Sequence, residues 1–117
     1  MNRKIIMNVL NPALSQEINQ LHADLCSALA DPSRILLLYT LAEGPRTVNE
    51  LALEIGVPQP TASRHLKTLR ERGLVSANRK GQTVEYALAD RRLIEALDLL
   101  RMVMRDGVLR RAELVQE

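Results

Sequence analysis

The stretch TVNELALEIGVPQPTASRHLKTLRERG, residues 47–73, constrains the fold more than any other part of the chain, because it carries start and stop signals for two short helices. Thr47 and Glu50 form a T-x-x-E capping box, in which hydroxyl and carboxylate each satisfy a backbone amide at a helix start. Val48, Leu51, Ala52 and Ile55 then share one helical face, and Gly56 ends the helix. "VPQP" makes a tight connection, and the next helix runs to Gly73. Two short helices joined by a turn of about four residues are a helix-turn-helix, whose second helix is able to lie in the major groove of DNA.

The second of these helices is amphipathic in an unusual way. At about 100° per residue, Ala62, Leu66 and Leu69 fall within some 60° of one another, while Arg64 and Lys67 project from the far side. From Gln59 to Arg72 it would be about 21 Å long, enough to lay two turns along a groove. Arg64, Lys67, Arg70, Arg72, Arg79 and Lys80 oppose Glu71 alone over residues 59–80, a net of +5. The whole chain carries only +2, so the rest is net negative. A charge run by itself is ordinarily a solvated face; its position on the second helix of this motif is what points to a polyanion.

Helices are expected on either side. Asn11 and Pro12 supply a cap and a first-turn residue, and Leu14, Ile18, Leu21, Leu25 and Leu29 then form one stripe on a helix of residues 12–29. Asp31-Pro32 repeats the signal, and "ILLLYTLA", apolar on every side, suits a short buried helix before Gly44-Pro45. After Gly73, "LVSAN" and "TVEYAL" alternate like strands, with "RKGQ" as the hairpin loop that carries Arg79 and Lys80 at its tip. Such a wing reaches phosphates or a minor groove. Asp90 caps a long last helix whose Leu93, Leu97, Leu100 and Met104 form a stripe widened by Ala96, Leu99 and Val103. One small domain cannot cover so broad a stripe, so a homodimer through the first and last helices is expected. The fold class is therefore mainly α with a small β-hairpin (α+β), a winged helix-turn-helix. It is divided into an N-terminal arm (residues 1–11), the DNA-binding and dimerisation domain (residues 12–106) and a C-terminal tail (residues 107–117), the roles of both ends being left open.

Composition excludes several alternatives. At 117 residues and 46% hydrophobic content, the chain fits one domain, with a core of Leu, Ile, Val, Ala and Met because it has no Phe or Trp and only two Tyr. That scarcity argues against a base-stacking platform. Cys26 is the single cysteine, which excludes an intrachain disulfide framework. "MNRKIIMNVLNP" is too short and polar for a secretory signal, and no run reaches the roughly 18 apolar residues of a membrane span, so a soluble, cytoplasmic chain with no membrane partner is expected.

The segments "ALADPSRILLLYTL", "TVNELALEIGVPQPTASRHLKTLRERGLV" and "RKGQTVEYAL", in this order and spacing, resemble the ArsR/SmtB-type bacterial transcriptional regulators over about residues 25 to 105. The resemblance implies a winged-helix homodimer that represses operons from palindromic operators and releases them when an effector binds or a thiol is oxidised. It also implies DNA contacts from Gln59, Thr61, Ser63, Arg64 and His65.

The chemistry of the side chains sorts these contacts. Arg64 is able to bond guanine O6 and N7 together, and Gln59 adenine N6 and N7, so both would read bases. Lys67, Arg70, Arg79 and Lys80 suit phosphates, adding affinity and salt dependence. Thr61 and Ser63 are open between a phosphate contact and helix-start polarity, and His65 between DNA contact and a packed, hydrogen-bonded role. Two such helices in a symmetric dimer would sit about 34 Å apart and require an inverted repeat of double-stranded DNA.

The effector is not legible. Metal-sensing relatives carry a cysteine pair in the segment equivalent to "TVNELALEIG" and Asp and His ligands in the last helix. Here there is no cysteine in the first, and the last offers Asp90 and Glu95 with Arg91 and Arg92 in place of histidine, so neither site carries over. His22 and Cys26, four apart on the first helix, are an alternative: four ligands from two subunits could hold a thiophilic metal, whereas the ordinary reading is an inert small hydrophobe and a structural histidine. Oxidation of Cys26 is open only through an intersubunit disulfide or mixed adduct. No cofactor is evident. An enzyme is disfavoured: Ser63 and His65, two apart on a helix, point in different directions and cannot act as nucleophile and base. A second reading is a winged-helix module whose basic face binds an acidic protein partner.

Overall fold

A computed structural model describes residues 11–116. Its elements are α1 (Pro12–Leu21), a π turn (His22–Cys26), a 3-10 turn (Ala28–Ala30), α2 (Pro32–Ala42), β1 (Arg46–Thr47), α3 (Val48–Ile55), α4 (Gln59–Glu71), β2 (Val75–Lys80), β3 (Thr83–Leu88) and α5 (Arg92–Gln116). The core lies where α2, α3 and α4 meet. Leu37 and Leu38 of α2, Leu51 of α3, and Leu66 and Leu69 of α4 are fully buried, with Leu41, Val75 of β2 and Leu97 of α5 around them. Burying each such leucine stabilises the fold by about 1.5 to 3 kcal/mol before entropy is counted.

The winged helix-turn-helix expected from the sequence is present, and it differs in detail from expectation in five places. The first helix does not run unbroken to residue 29. Ser27 N–H donates to His22 O five residues back, and the Ser27 hydroxyl donates to Ala23 O, taking a carbonyl that an α-helix would use for its own ladder. The α2 segment is buried on one side only, since Leu36 is 53% exposed.

A third strand, β1, escaped the sequence reading, because two residues give no alternation. The sheet order is β1-β3-β2, all antiparallel, with Arg46 opposite Tyr86 and Thr47 opposite Glu85. The wing is tighter than a four-residue loop. Pairing continues from Val75↔Leu88 to Lys80↔Thr83, so only Gly81 and Gln82 turn the chain. Gly81 sits at φ +65°, a conformation that a Cβ would strain. Lastly, α5 continues through Gly107 to Gln116, so the last segment, left open by the sequence, is helical. A single glycine costs a helix only about 1 kcal/mol, and the Arg, Leu and Glu residues around it are good helix formers. The expected N-terminal arm lies outside the described residues except for Asn11, whose side chain accepts from Ala13 N–H at 2.9 Å as the cap of α1.

Candidate nucleic-acid interface

The helix-turn-helix is locked at each corner by local chemistry. Thr47 Oγ1 accepts from Glu50 N–H at 3.3 Å while Glu50 Oε1 accepts from Thr47 N–H at 3.2 Å, and the Thr47 N–H, then its hydroxyl, hold the Glu50 carboxyl below the usual range. Gly56, at φ +73°, closes α3, with its own N–H and that of Val57 both reaching Ala52 O. Pro58 then opens α4: its carbonyl accepts from Thr61 and Ala62 N–H at 3.0 and 3.1 Å, and no acidic side chain occupies the first turn. No side chain of the first turn therefore answers the partial positive charge at that helix start.

One side of α4 is sealed and the other open. Ala62, Leu66 and Leu69 are buried completely, whereas Gln59, Arg64, Lys67 and Arg70 are exposed and Thr61 and Ser63 are half-buried. Among the described residues, the side chains of Arg64, Lys67, Arg70 and Arg79 form no ion pair with the chain's own acids. Their charge faces solvent.

Two of the residues expected at DNA have partners within the chain. His65 is only 8% exposed and belongs to the packed side of α4, so it does not stand on the base-reading face. Its Nδ1 lies 3.3 Å from Arg34 Nη1 and its Nε2 lies 3.9 Å from Asp31 Oδ2. A guanidinium has only donors, so Nδ1 is the accepting nitrogen and the neutral ring's proton on Nε2 faces the carboxylate. Asp31 is held below the usual range chiefly by Ser33 N–H, and further by Arg34. Lys80 is the second case: as a neighbour of Arg79 on a strand it points to the opposite face of the wing. There its Nζ lies 3.1 Å from Glu85 Oε1, so only Arg79 of the wing pair stands free. Asp31, Arg34 and Glu85 are neighbours of these side chains that the sequence reading did not name. Their partners lie across the fold or across a turn whose register was misjudged.

His22 and Cys26 are both exposed on the π turn, and among the described residues no three His, Cys, Asp or Glu side chains gather as a metal site.

An exposed basic helix fixed over a leucine core, with a paired wing behind it, defines a winged helix-turn-helix protein. Residues 31–77 match the family model for the bacterial regulatory protein, arsR family. The HTH-type transcriptional repressor SmtB of Mycobacterium tuberculosis is 44% identical over 78 residues, covering 67% of this chain and 58% of that protein. The match thus spans little more than half of that relative. The biofilm growth-associated repressor of Agrobacterium fabrum is 40% identical over 89 residues, covering 74% of this chain and 75% of that protein. Among solved structures, a homodimeric winged helix-turn-helix DNA-binding domain from Mycobacterium bovis, described as a possible ArsR-family transcriptional regulator, superposes with a TM-score of 0.72 at 30% identity, covering 84% and 90% of the two chains. NolR from Sinorhizobium fredii gives a TM-score of 0.70 at 32% identity, covering 80% and 92%. The chain belongs to the arsR family of bacterial regulatory proteins, as its sequence resemblance implied.

Proposed function

We propose that the chain is a homodimeric transcriptional repressor that binds an inverted repeat of double-stranded DNA and is released by an effector. The observation that carries this reading is the division of α4 into a fully buried leucine side and an uncompensated cationic side. Gln59, Arg64 and, at the helix start, Thr61 and Ser63 read bases; Lys67, Arg70 and Arg79 meet phosphates, and Lys80 joins them only when Glu85 releases it. His65 is left out because it is buried. The repressors and the DNA-binding domain that this chain is similar to support the same reading.

Dimerisation is supported by what α1 and α5 leave open. Ile18 and Leu21 of α1 and Leu99, Leu100, Val103 and Met104 of α5 are about half exposed or more. The radius of gyration is 18.2 Å, against about 13 Å for a compact chain of this length, which fits a molecule whose protruding helices close against a second copy. Among the described residues no helix is long and apolar enough to cross a membrane; a regulator of this kind works beside DNA in the cytoplasm. For the effector, an exposed Cys26 thiol and the His22/Cys26 pair of two subunits remain the candidate receptors, thiol modification being the simpler.

Selection of duplexes from a random pool tests the reading. A palindromic preference and a steep linear fall of log affinity with log salt are expected. Binding without sequence preference, or none at all, would overturn it in favour of an acidic protein partner. Leu100→Glu should give monomers by sedimentation and weaken operator binding; a dimer of unchanged stability would refute the proposed interface.

A further inference from the structure

We infer that the irregular segment of residues 22–30 is a joint that sets the direction of the recognition helix, with Asp24 and Arg72 as positioning residues that fix the half-site separation the dimer accepts. The inference rests on the DNA-binding reading above and adds to it a determinant of operator geometry.

Two polar links tie this segment to α4. The first is a single guanidinium: Arg34 Nε donates to Ala28 O at 2.6 Å and Nη2 to Ser27 O at 3.3 Å, while Nη1 reaches His65 Nδ1 at 3.3 Å. One side chain therefore holds both the end of the segment and the middle of the recognition helix. The second link lies at the far end of α4. Arg72, the residue that caps that helix, donates from Nη1 to Asp24 Oδ1 at 3.4 Å, and the other carboxylate oxygen of Asp24 is engaged by Gln20 of α1. His65 and Arg72 are two turns, about 10.5 Å, apart along the helix axis. The leucines of α4 fix it to the core, and the two links tie the irregular segment to it at both its middle and its end.

The surroundings of the second link separate it from surface decoration. An open groove of about 630 Å³, walled by Leu14, Ile18, Leu21 and Leu25 on one side and Leu74 on the other, runs between α1 and the end of α4. Within one protomer apolar packing does not fill that gap, and both Asp24 and Arg72 stand at its wall. The ion pair spans it. With side chains 43% and 40% exposed the pair contributes little to folding stability. Its contribution is geometric, because α1 carries the proposed dimer face and α4 carries the DNA-reading face.

The test uses the full chain and the operator obtained by selection, rebuilt with the half-site separation changed by one and two base pairs either way, together with a duplex holding a single half-site. Wild type should prefer one separation. Arg72→Gln and Asp24→Asn should each lower affinity at that separation about fivefold, the order expected for an exposed pair, and flatten the preference, with sedimentation, Tm and single-half-site affinity unchanged. Arg72→Lys should retain the preference. A simple charge effect on DNA would drive Arg72→Gln and Asp24→Asn in opposite directions, whereas a lost joint drives both the same way. If both variants keep the wild-type preference, or shift in opposite directions, the joint is refuted while the DNA reading stands. If wild type shows no preferred separation, the dimeric operator reading itself fails.

Discussion

Removing the carboxylate of Glu85, and not a cation, should strengthen DNA binding. Lys80 Nζ is 3.1 Å from Glu85 Oε1 on the wing, so in the free protein its charge is already answered from within the hairpin. Glu85→Gln keeps the size of the side chain on β3, opposite Asn78 on one neighbouring strand and Thr47 on the other, while freeing Lys80 for a phosphate. Each phosphate neutralised steepens the dependence of log affinity on log salt by about 0.9, so two wings of a dimer should steepen it by about 1.8. If affinity at 1 M salt is unchanged, that slope corresponds to a gain of at most about 60-fold at 0.1 M. Fluorescence anisotropy of a labelled duplex over about 50 to 300 mM salt reads the slope directly. Tm should change little, because an exposed ion pair adds little to stability. A slope unchanged within about half a unit would show that the wing does not bring Lys80 to a phosphate even when it is free.

Other perturbations follow from the same placement. Arg64→Ala should cost about 1 to 3 kcal/mol on the preferred operator and much less on random DNA; equal losses on both would remove Arg64 from base reading. Gly56→Ala should lower the unfolding free energy by about 1 to 2 kcal/mol in urea denaturation: the glycine sits at φ +73° and an added Cβ would meet nothing within 4 Å, so the cost is conformational. An unchanged midpoint would disprove that reasoning. At the start of α5, the Arg92 side chain and then its N–H hold the Asp90 carboxyl down at about 2, against a usual 3.8. Because the folded pKa is the lower one, this contribution to stability is fully present above pH 3.8 and is lost as pH falls through about 2. Following the Asp90 carboxyl carbon by NMR should give the low midpoint in wild type and a higher one in Arg92→Ala; a wild-type midpoint near 4 would refute the pairing.

Local signals were read well wherever the cause of structure is itself local. The capping box of Thr47 and Glu50, the glycine that ends α3, the Ala62, Leu66 and Leu69 spine of α4 and the Asp90 cap each depend on residues a few positions apart, and each lies where periodicity and capping chemistry put it. The site was legible to the same extent: Arg64 and Lys67 project outward because Leu66 and Leu69 must point inward. What the sequence did not show at the site was partners: His65 was open between packing and DNA and is packed, and Lys80, expected at a phosphate, has Glu85 beside it.

Sequence alone determined that two short helices meet at a tight turn, that the second carries a cationic flank, and that a hairpin and a long apolar-striped helix follow. These features arise from spacings shorter than two helical turns, and no distant residue has to be known for them to hold. Only the tertiary structure decided which charges were left over. Arg34 meets His65 from 31 positions away and Asp24 meets Arg72 from 48, while Glu85 meets Lys80 because the strand before the wing's turn runs two residues further than its sequence implied. A charge acts at a distance set by folded geometry and not by order along the chain, so which cations remain free for DNA is a property of the packed molecule.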